Sequence, residues 1–259
     1  MTEWNASGYY RQSALQQRLA EKCLAGLELD GTERLLDVGC GDGKITAAIA
    51  ARLSGGSIVG VDPSTQMIDF ARQHFQPDAG NLRFEVGDAA HLGFRDELDL
   101  VVSFNALHWV TDQAAALSSI RRALRPSGRA VLQLVCKGEL RSLEAVIEDT
   151  CAAPAWASCF VGHCPPFLHL LPDEYRELAE RCGLSVDAIE ARLESWDFGS
   201  RRAFVEFAHV TFVEWTRSIP PTRCDEFIAD ALDRYLQMRR GRTAGLFEFY
   251  QMRALLRRA

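Results

Sequence analysis

Leu35-Leu-Asp-Val-Gly-Cys-Gly-Asp-Gly43 is the stretch on which the reading of this chain turns. An apolar run closes on Asp37, glycines follow at positions 39, 41 and 43, and the next residues, from Lys44, carry helical spacing. A strand that enters a glycine-rich turn and leaves as a helix brings bare backbone up to a ligand, because glycine has no side chain in the way. Two ligand classes fit poorly. A dinucleotide fingerprint wants a small residue three places after the second glycine, where this chain has Lys44. A phosphate-cradling loop of the Walker type wants Lys followed by Ser or Thr, and Lys44 precedes Ile45.

Outward from the turn, β-rich runs alternate with helical ones. Strands are predicted at 34–38, 57–61, 82–86, 98–104 and 129–135, and helices at 43–53, 64–74 and 112–124, with Arg125-Pro-Ser-Gly128 as the stop before the fifth strand. Leu98-Asp-Leu-Val-Val-Ser-Phe104 is almost continuously apolar, as a strand covered on both faces must be. The pattern predicts an α/β fold with a doubly wound, mostly parallel sheet. A helix at 172–182 closed by Gly183, a strand at 185–193, helical periodicity over 200–239 and a last strand at 246–256 complete the chain. We expect a single domain over 1–259. Its core covers about 18–136, 172–198 and 244–259, and a discontinuous helical cap takes about 1–17, 137–171 and 199–243.

The carboxyl ends of the later strands also carry chemistry. Asp62 ends Gly60-Val-Asp62 some twenty residues past the glycine turn, where a carboxylate can accept from both hydroxyls of a ribose. Asp62-Pro63-Ser64 could equally cap the helix that follows. Gly87-Asp88-Ala89 follows the third strand, and Phe104-Asn-Ala-Leu-His-Trp109 puts an amide, an imidazole and an indole at the end of the fourth.

The net charge of −6 argues against a surface built to neutralise phosphates, so no nucleic-acid partner is expected. The basic stretch 238–258 reads as a solvated helix face and strand edge. No leader pattern or bilayer-length apolar run is present, and the eight cysteines include no Cys-x-x-Cys pair, which suggests reduced thiols in a cytoplasmic protein with no membrane partner. Cys151, Cys159, Cys164, His163 and His169 match no common zinc spacing, and no metal is expected. Aromatics such as Trp156, Phe160, Phe204 and Trp215 read as helical core and as lining for an acceptor with apolar surface.

Together, in this order, the four motifs resemble class I S-adenosylmethionine-dependent methyltransferases over residues 30–135. The N-terminal Glu3-Trp-Asn-Ala-Ser-Gly-Tyr-Tyr-Arg-Gln-Ser13 and Leu107-His-Trp109 resemble, more narrowly, the trans-aconitate and juvenile hormone acid methyltransferases, which act on carboxylates of small molecules. The resemblance implies a seven-stranded Rossmann-like sheet and S-adenosylmethionine as cofactor. It places the methionine half on Asp37, Gly39, Cys40 and Gly41, the ribose on Asp62 beside Pro63, and adenine near Met67, Asp88 and Ala89, with Asn105 facing the amino-acid portion. It assigns the acceptor to Tyr9, Tyr10, Gln16, His108 and Trp109, with Ser13 close by.

A carboxylate acceptor, with a reference pKa near ~4, is already ionised at neutral pH and needs no general base. His108 is the candidate catalytic side chain: a base toward a hydroxyl acceptor, or a structural imidazole. Transfer to a hydroxyl or carbon of a natural-product, lipid or carrier-bound intermediate is the enzymatic alternative. A noncatalytic nucleoside-binding regulator is the alternative outside enzymes. Oligomeric state is not legible in the chain.

Overall fold

The computed structural model of the chain describes residues 14–75, 80–239 and 243–259. Tyr9, Tyr10 and Ser13 lie outside them, as does the side chain of Gln16, whose backbone belongs to the first helix. In chain order come α1 (Ala14–Ala25), β1 (Arg34–Val38), α2 (Lys44–Ala50), β2 (Ser57–Asp62), α3 (Thr65–Phe75), β3 (Leu82–Val86), β4 (Leu98–Phe104), α4 (Gln113–Ala123) and β5 (Leu124–Cys136). There follow α5 (Leu143–Cys151), α6 (Pro172–Arg181), β6 (Leu184–Asp197), α7 (Arg201–Thr211), α8 (Val213–Thr216), α9 (Cys224–Met238) and β7 (Leu246–Arg258).

The strands form one seven-stranded sheet in the order β3-β2-β1-β4-β5-β7-β6. β1 pairs in parallel with β2 and with β4, and the outer pairs β2–β3 and β4–β5 are parallel too. Strand order therefore reverses between β1 and β4, the point at which open α/β sheets bind ligands. β7 runs against β6: the Phe198 amide donates to the Gly245 carbonyl beyond one end of the pair, and the Ala259 amide to the Gly183 carbonyl beyond the other.

Both faces of the parallel strands are covered. Leu35, Ile58, Phe84, Leu100 and Val102 pack with Ile49 and Ala50 of α2 and with Ile68 and Ala71 of α3. Leu36, Val38, Val101 and Leu132, which point the other way, are just as buried. That explains why these strands read as apolar runs rather than alternating ones.

The fifth strand departs from expectation. Arg125-Pro-Ser-Gly128 does not stop the chain; β5 begins at Leu124 and runs through it. Leu98 pairs with Leu124 and Leu100 with Arg129, a register shift that lets the four residues bulge out of the ladder. A bulge tolerates the missing proline donor, and Gly128 suits it because a side chain there would press on the Leu98 carbonyl.

Two compact units divide the chain. One holds the residues up to Cys136, Phe167–Ala191 and Gln251–Ala259; the other holds Lys137–Pro166 and Arg192–Tyr250. In the second, Phe204, Phe227, Tyr235, Trp156 and Trp215 are almost fully buried, and the rings of Phe204 and Phe247 lie 5.9 Å apart. Arg239 corrects the reading of 238–258 as a solvated stretch. It is buried, donates to the Arg141 carbonyl at 2.7 Å and lies 3.5 Å from the Glu248 carboxylate. No helix among the described residues is long and apolar enough to cross a membrane.

Candidate functional site

Gly39, Gly41 and Gly43 all have left-handed backbone, with φ of 77°, 53° and 82°. Each needs glycine, but not for the same reason. A Cβ on Gly39 would collide with Ala106 Cβ, and one on Gly43 would come within 2.6 Å of Ala71 and 2.7 Å of Phe84. Among the described residues, a Cβ on Gly41 would meet nothing within 4 Å. The first and third glycines let protein pack on protein, whereas the middle one leaves bare backbone that no described residue covers. The turn is anchored by the Val61 carbonyl, which accepts from the Gly39 amide at 2.7 Å and the Cys40 amide at 3.0 Å. Cys40 points its side chain into the core against Gly60, so only its backbone belongs to the edge.

Asp62 ties three segments together. Its Oδ2 accepts the Gly41 amide at 3.0 Å, its Oδ1 accepts the Ser64 amide at 2.9 Å, and its carbonyl accepts the Gly87 amide at 3.1 Å. The helix cap falls to Ser64, whose Oγ accepts the Met67 amide at 3.3 Å, which leaves Asp62 to hold the turn. A carboxylate with about four acceptor sites can hold two amides and a ribose diol together. Asp37, at the end of β1, is almost fully buried, and its Oδ2 accepts from the Thr46 hydroxyl at 2.7 Å. Burial pushes its carboxyl up to about 7; the Thr46 bond opposes this and the Asp62 charge adds to it.

Met67 is buried at the start of α3, and Pro63 is exposed. Ala89 is buried; exposed Asp88 caps the 3-10 turn Ala89–His91 through the Ala90 amide at 3.0 Å, with His91 3.1 Å away.

Asn105 takes a left-handed backbone with φ of 58° at the end of β4. Outside glycine that conformation is uncommon and concentrates at functional positions. Its amide donates to the Gln133 carbonyl at 2.7 Å, and its Oδ1 accepts from Gln251 Nε2 at 2.7 Å. The Ser103 hydroxyl bonds the Val38 carbonyl at 2.7 Å, fixing β4 against β1 at the switch.

His108 and Trp109 sit in the 3-10 turn that follows. His108 is buried, its Nδ1 has no hydrogen-bond partner among the described residues, and its ring centroid lies 5.8 Å from that of His169. Burial first, and then the neighbouring His169, hold its pKa well below the ordinary imidazole value, so the ring is neutral at physiological pH. Gln113 Nε2 braces the loop by donating to the Leu107 carbonyl at 3.1 Å and the Leu168 carbonyl at 2.8 Å. Trp109 is half-buried, 5.2 Å from His108 between ring centroids.

The switch point thus gathers Asp37, Gly39, Gly41, Asp62 and Asn105. Sequence reasoning missed Thr46, Gln113, Gln251 and the placement of His169. Each acts across 9 to 146 positions of chain, and only Thr46, one turn into the helix after the glycines, carried a local signal.

Residues 36–132 match the methyltransferase domain family. The chain is similar to the trans-aconitate 2-methyltransferase of Variovorax paradoxus, at 29% identity over 84% of this chain and 79% of that one. It is also similar to the malonyl-[acyl-carrier protein] O-methyltransferase of Methylococcus capsulatus, at 35% identity over 48% and 46%. The fold is that of a Haemonchus contortus phosphoethanolamine N-methyltransferase solved with S-adenosylhomocysteine: TM-score 0.61, 18% identity, covering 98% of this chain and 57% of that one.

Proposed function

We propose that the chain is a class I S-adenosylmethionine-dependent methyltransferase related to the trans-aconitate group, and that it methylates a carboxylate oxygen of a small, partly apolar acid. When bound, S-adenosylmethionine supplies a sulfonium methyl group open to in-line displacement. The fit of the site to this cofactor rests on Gly41, whose bare backbone no described residue covers, beside an Asp62 carboxylate held by two amides.

In this reading Asp62 binds the ribose hydroxyls beside Pro63, Met67 and Ala89 wall the adenine, and Asp88 accepts from its amino group. The turn Gly39–Gly41, Cys40 through its backbone, holds the methionine half. Asp37 and Asn105 orient the amino-acid end, and the 2.7 Å bond from Gln251 keeps the Asn105 carboxamide in one rotamer. Gln16, Tyr9, Tyr10 and Trp109 bind the acceptor. Orientation and exclusion of water carry the rate, since a fixed near-attack geometry removes most of the entropic barrier.

One observation favours a carboxylate. His108, the candidate catalytic side chain, is a buried imidazole whose basicity is lowered by burial and by the neighbouring His169, which weakens it as a general base. A neutral ring can orient an acceptor that is already ionised, but it is a weak base toward a hydroxyl. The Nδ1 of His108, unpartnered among the described residues, is the feature that favours a hydroxyl acceptor instead. Incubation with methyl-labelled S-adenosylmethionine and a panel of acids and alcohols separates the two. A carboxyl product is an ester, which mild alkali cleaves to release labelled methanol, whereas an ether or a C-methyl product survives. Alkali-stable product would overturn the carboxylate reading.

A further inference from the structure

The second unit holds one grouping of metal-ligating side chains among the described residues: Glu148, Cys151 and His163, whose ligand atoms all lie within 4.8 Å of one another. Glu148 and Cys151 are three residues apart on α5 and so share a helix face. His163 reaches them from the turn after Gly162, where φ is 75°. Its amide donates to the Phe160 carbonyl at 3.0 Å, and the Phe160 ring stands edge-on at 5.3 Å, which fixes the imidazole. Its Nε2 is 3.1 Å from both Glu148 oxygens. Trp215 Nε1 donates to Glu148 Oε1 at 2.6 Å and so holds the carboxylate from behind.

We infer that Glu148, Cys151 and His163 form a three-ligand site for a zinc ion, with water in the fourth position. The ligand set is the borderline-soft mixture of thiolate, imidazole and carboxylate that zinc takes. Bond lengths near 2.0–2.3 Å in a tetrahedron place ligand atoms roughly 3.4 Å apart, and the His163–Glu148 separation is already close to that. A thiolate and a carboxylate balance the charge of a dication with nothing left over. A Glu–His hydrogen bond alone gives no reason for a buried thiol to face it, and Trp215 is the kind of outer partner that orients a ligating carboxylate. Cys151 is buried, while Glu148 and His163 keep 20% and 16% of their side-chain surface exposed, leaving one side open to an entering ion. Binding displaces the Cys151 thiol proton to solvent and leaves the imidazole neutral, with its proton on Nδ1. Burial and the Glu148 charge push that thiol up to about 12, so the metal must supply the driving force for its loss.

This site is independent of the methyl acceptor, and its test needs no substrate. Chelator-treated protein is titrated with Co²⁺ and then with Zn²⁺ in competition. One equivalent should bind, with a thiolate-to-cobalt charge-transfer band that zinc abolishes and with release of one proton per ion. Cys151→Ser should remove the band. His163→Gln, which leaves the buried helix face untouched, should weaken binding at least tenfold. Cys164→Ser should change neither. The inference falls if no equivalent binds at micromolar metal, or if the band persists in folded Cys151→Ser protein. It falls equally if His163→Gln, still binding S-adenosylhomocysteine as the intact chain does, takes up cobalt unchanged.

Discussion

The glycine turn after β1 and the Glu148–Cys151–His163 group of the second unit both hold polar atoms ready, but they are built in opposite ways. The turn is made of backbone fixed by a strand end, with its donors and the Asp62 carboxylate that holds the Gly41 amide arranged at the point where strand order reverses. The group in the second unit is made of side chains, two from one helix and one from a distant turn, with Trp215 behind them. In the turn, the strand ends fix the geometry at the cost of demanding glycine. In the helical group, side-chain packing fixes it.

That contrast can be broken within the turn itself. Gly39→Ala should have the largest effect, because the new methyl collides with Ala106 as well as straining a left-handed backbone. We expect a loss of about 3–5 kcal/mol, read by urea unfolding. Asp62→Ala should leave the protein folded but weaken S-adenosylhomocysteine about a hundredfold in calorimetry, the equivalent of two lost hydrogen bonds to a charged group. Gly41→Ala, two residues from the most damaging change, should cost stability only about 1–2 kcal/mol for the backbone strain. It should nonetheless weaken the cofactor at least tenfold, because its methyl meets no described residue and would enter the space proposed for the ligand. Equal loss of fold stability in both glycine variants would erase the distinction drawn between them.

Asp37 gives a pH test. Folded, its carboxyl keeps a proton up to about 7; unfolded, it loses it near 3.8. The folded state therefore binds more protons in that window, and the burial of Asp37 costs increasing stability as pH rises from about 4 to about 7. Asp37→Asn should match the native protein near the bottom of the window in thermal melts and exceed it near the top. The smallest effect is expected of His108→Asn: with a carboxylate acceptor kcat should fall less than about tenfold and stay flat with pH, short of the 100-fold or more that loss of a general base brings.

The same contrast explains what could be read from the chain. The turn, Asp62 and Asn105 were legible because glycine spacing and strand ends are local, and the first four strands were placed to within a residue for the same reason. Pro126 misled, since a bulge in β5 absorbs what would otherwise be a stop. β6 was read four residues short because its far half is largely exposed and carries no apolar run. Gln251 on Asn105 and Glu148 beside Cys151 and His163 depend on contacts that spacing does not encode.

The most direct measurement is a calorimetric titration of the intact chain and of Asp62→Ala with S-adenosylhomocysteine. The account predicts one site per chain in the intact protein and about a hundredfold weaker binding in a variant whose circular dichroism is unchanged. Equal affinity in the two proteins would contradict the placement of the cofactor at the β1–β4 switch.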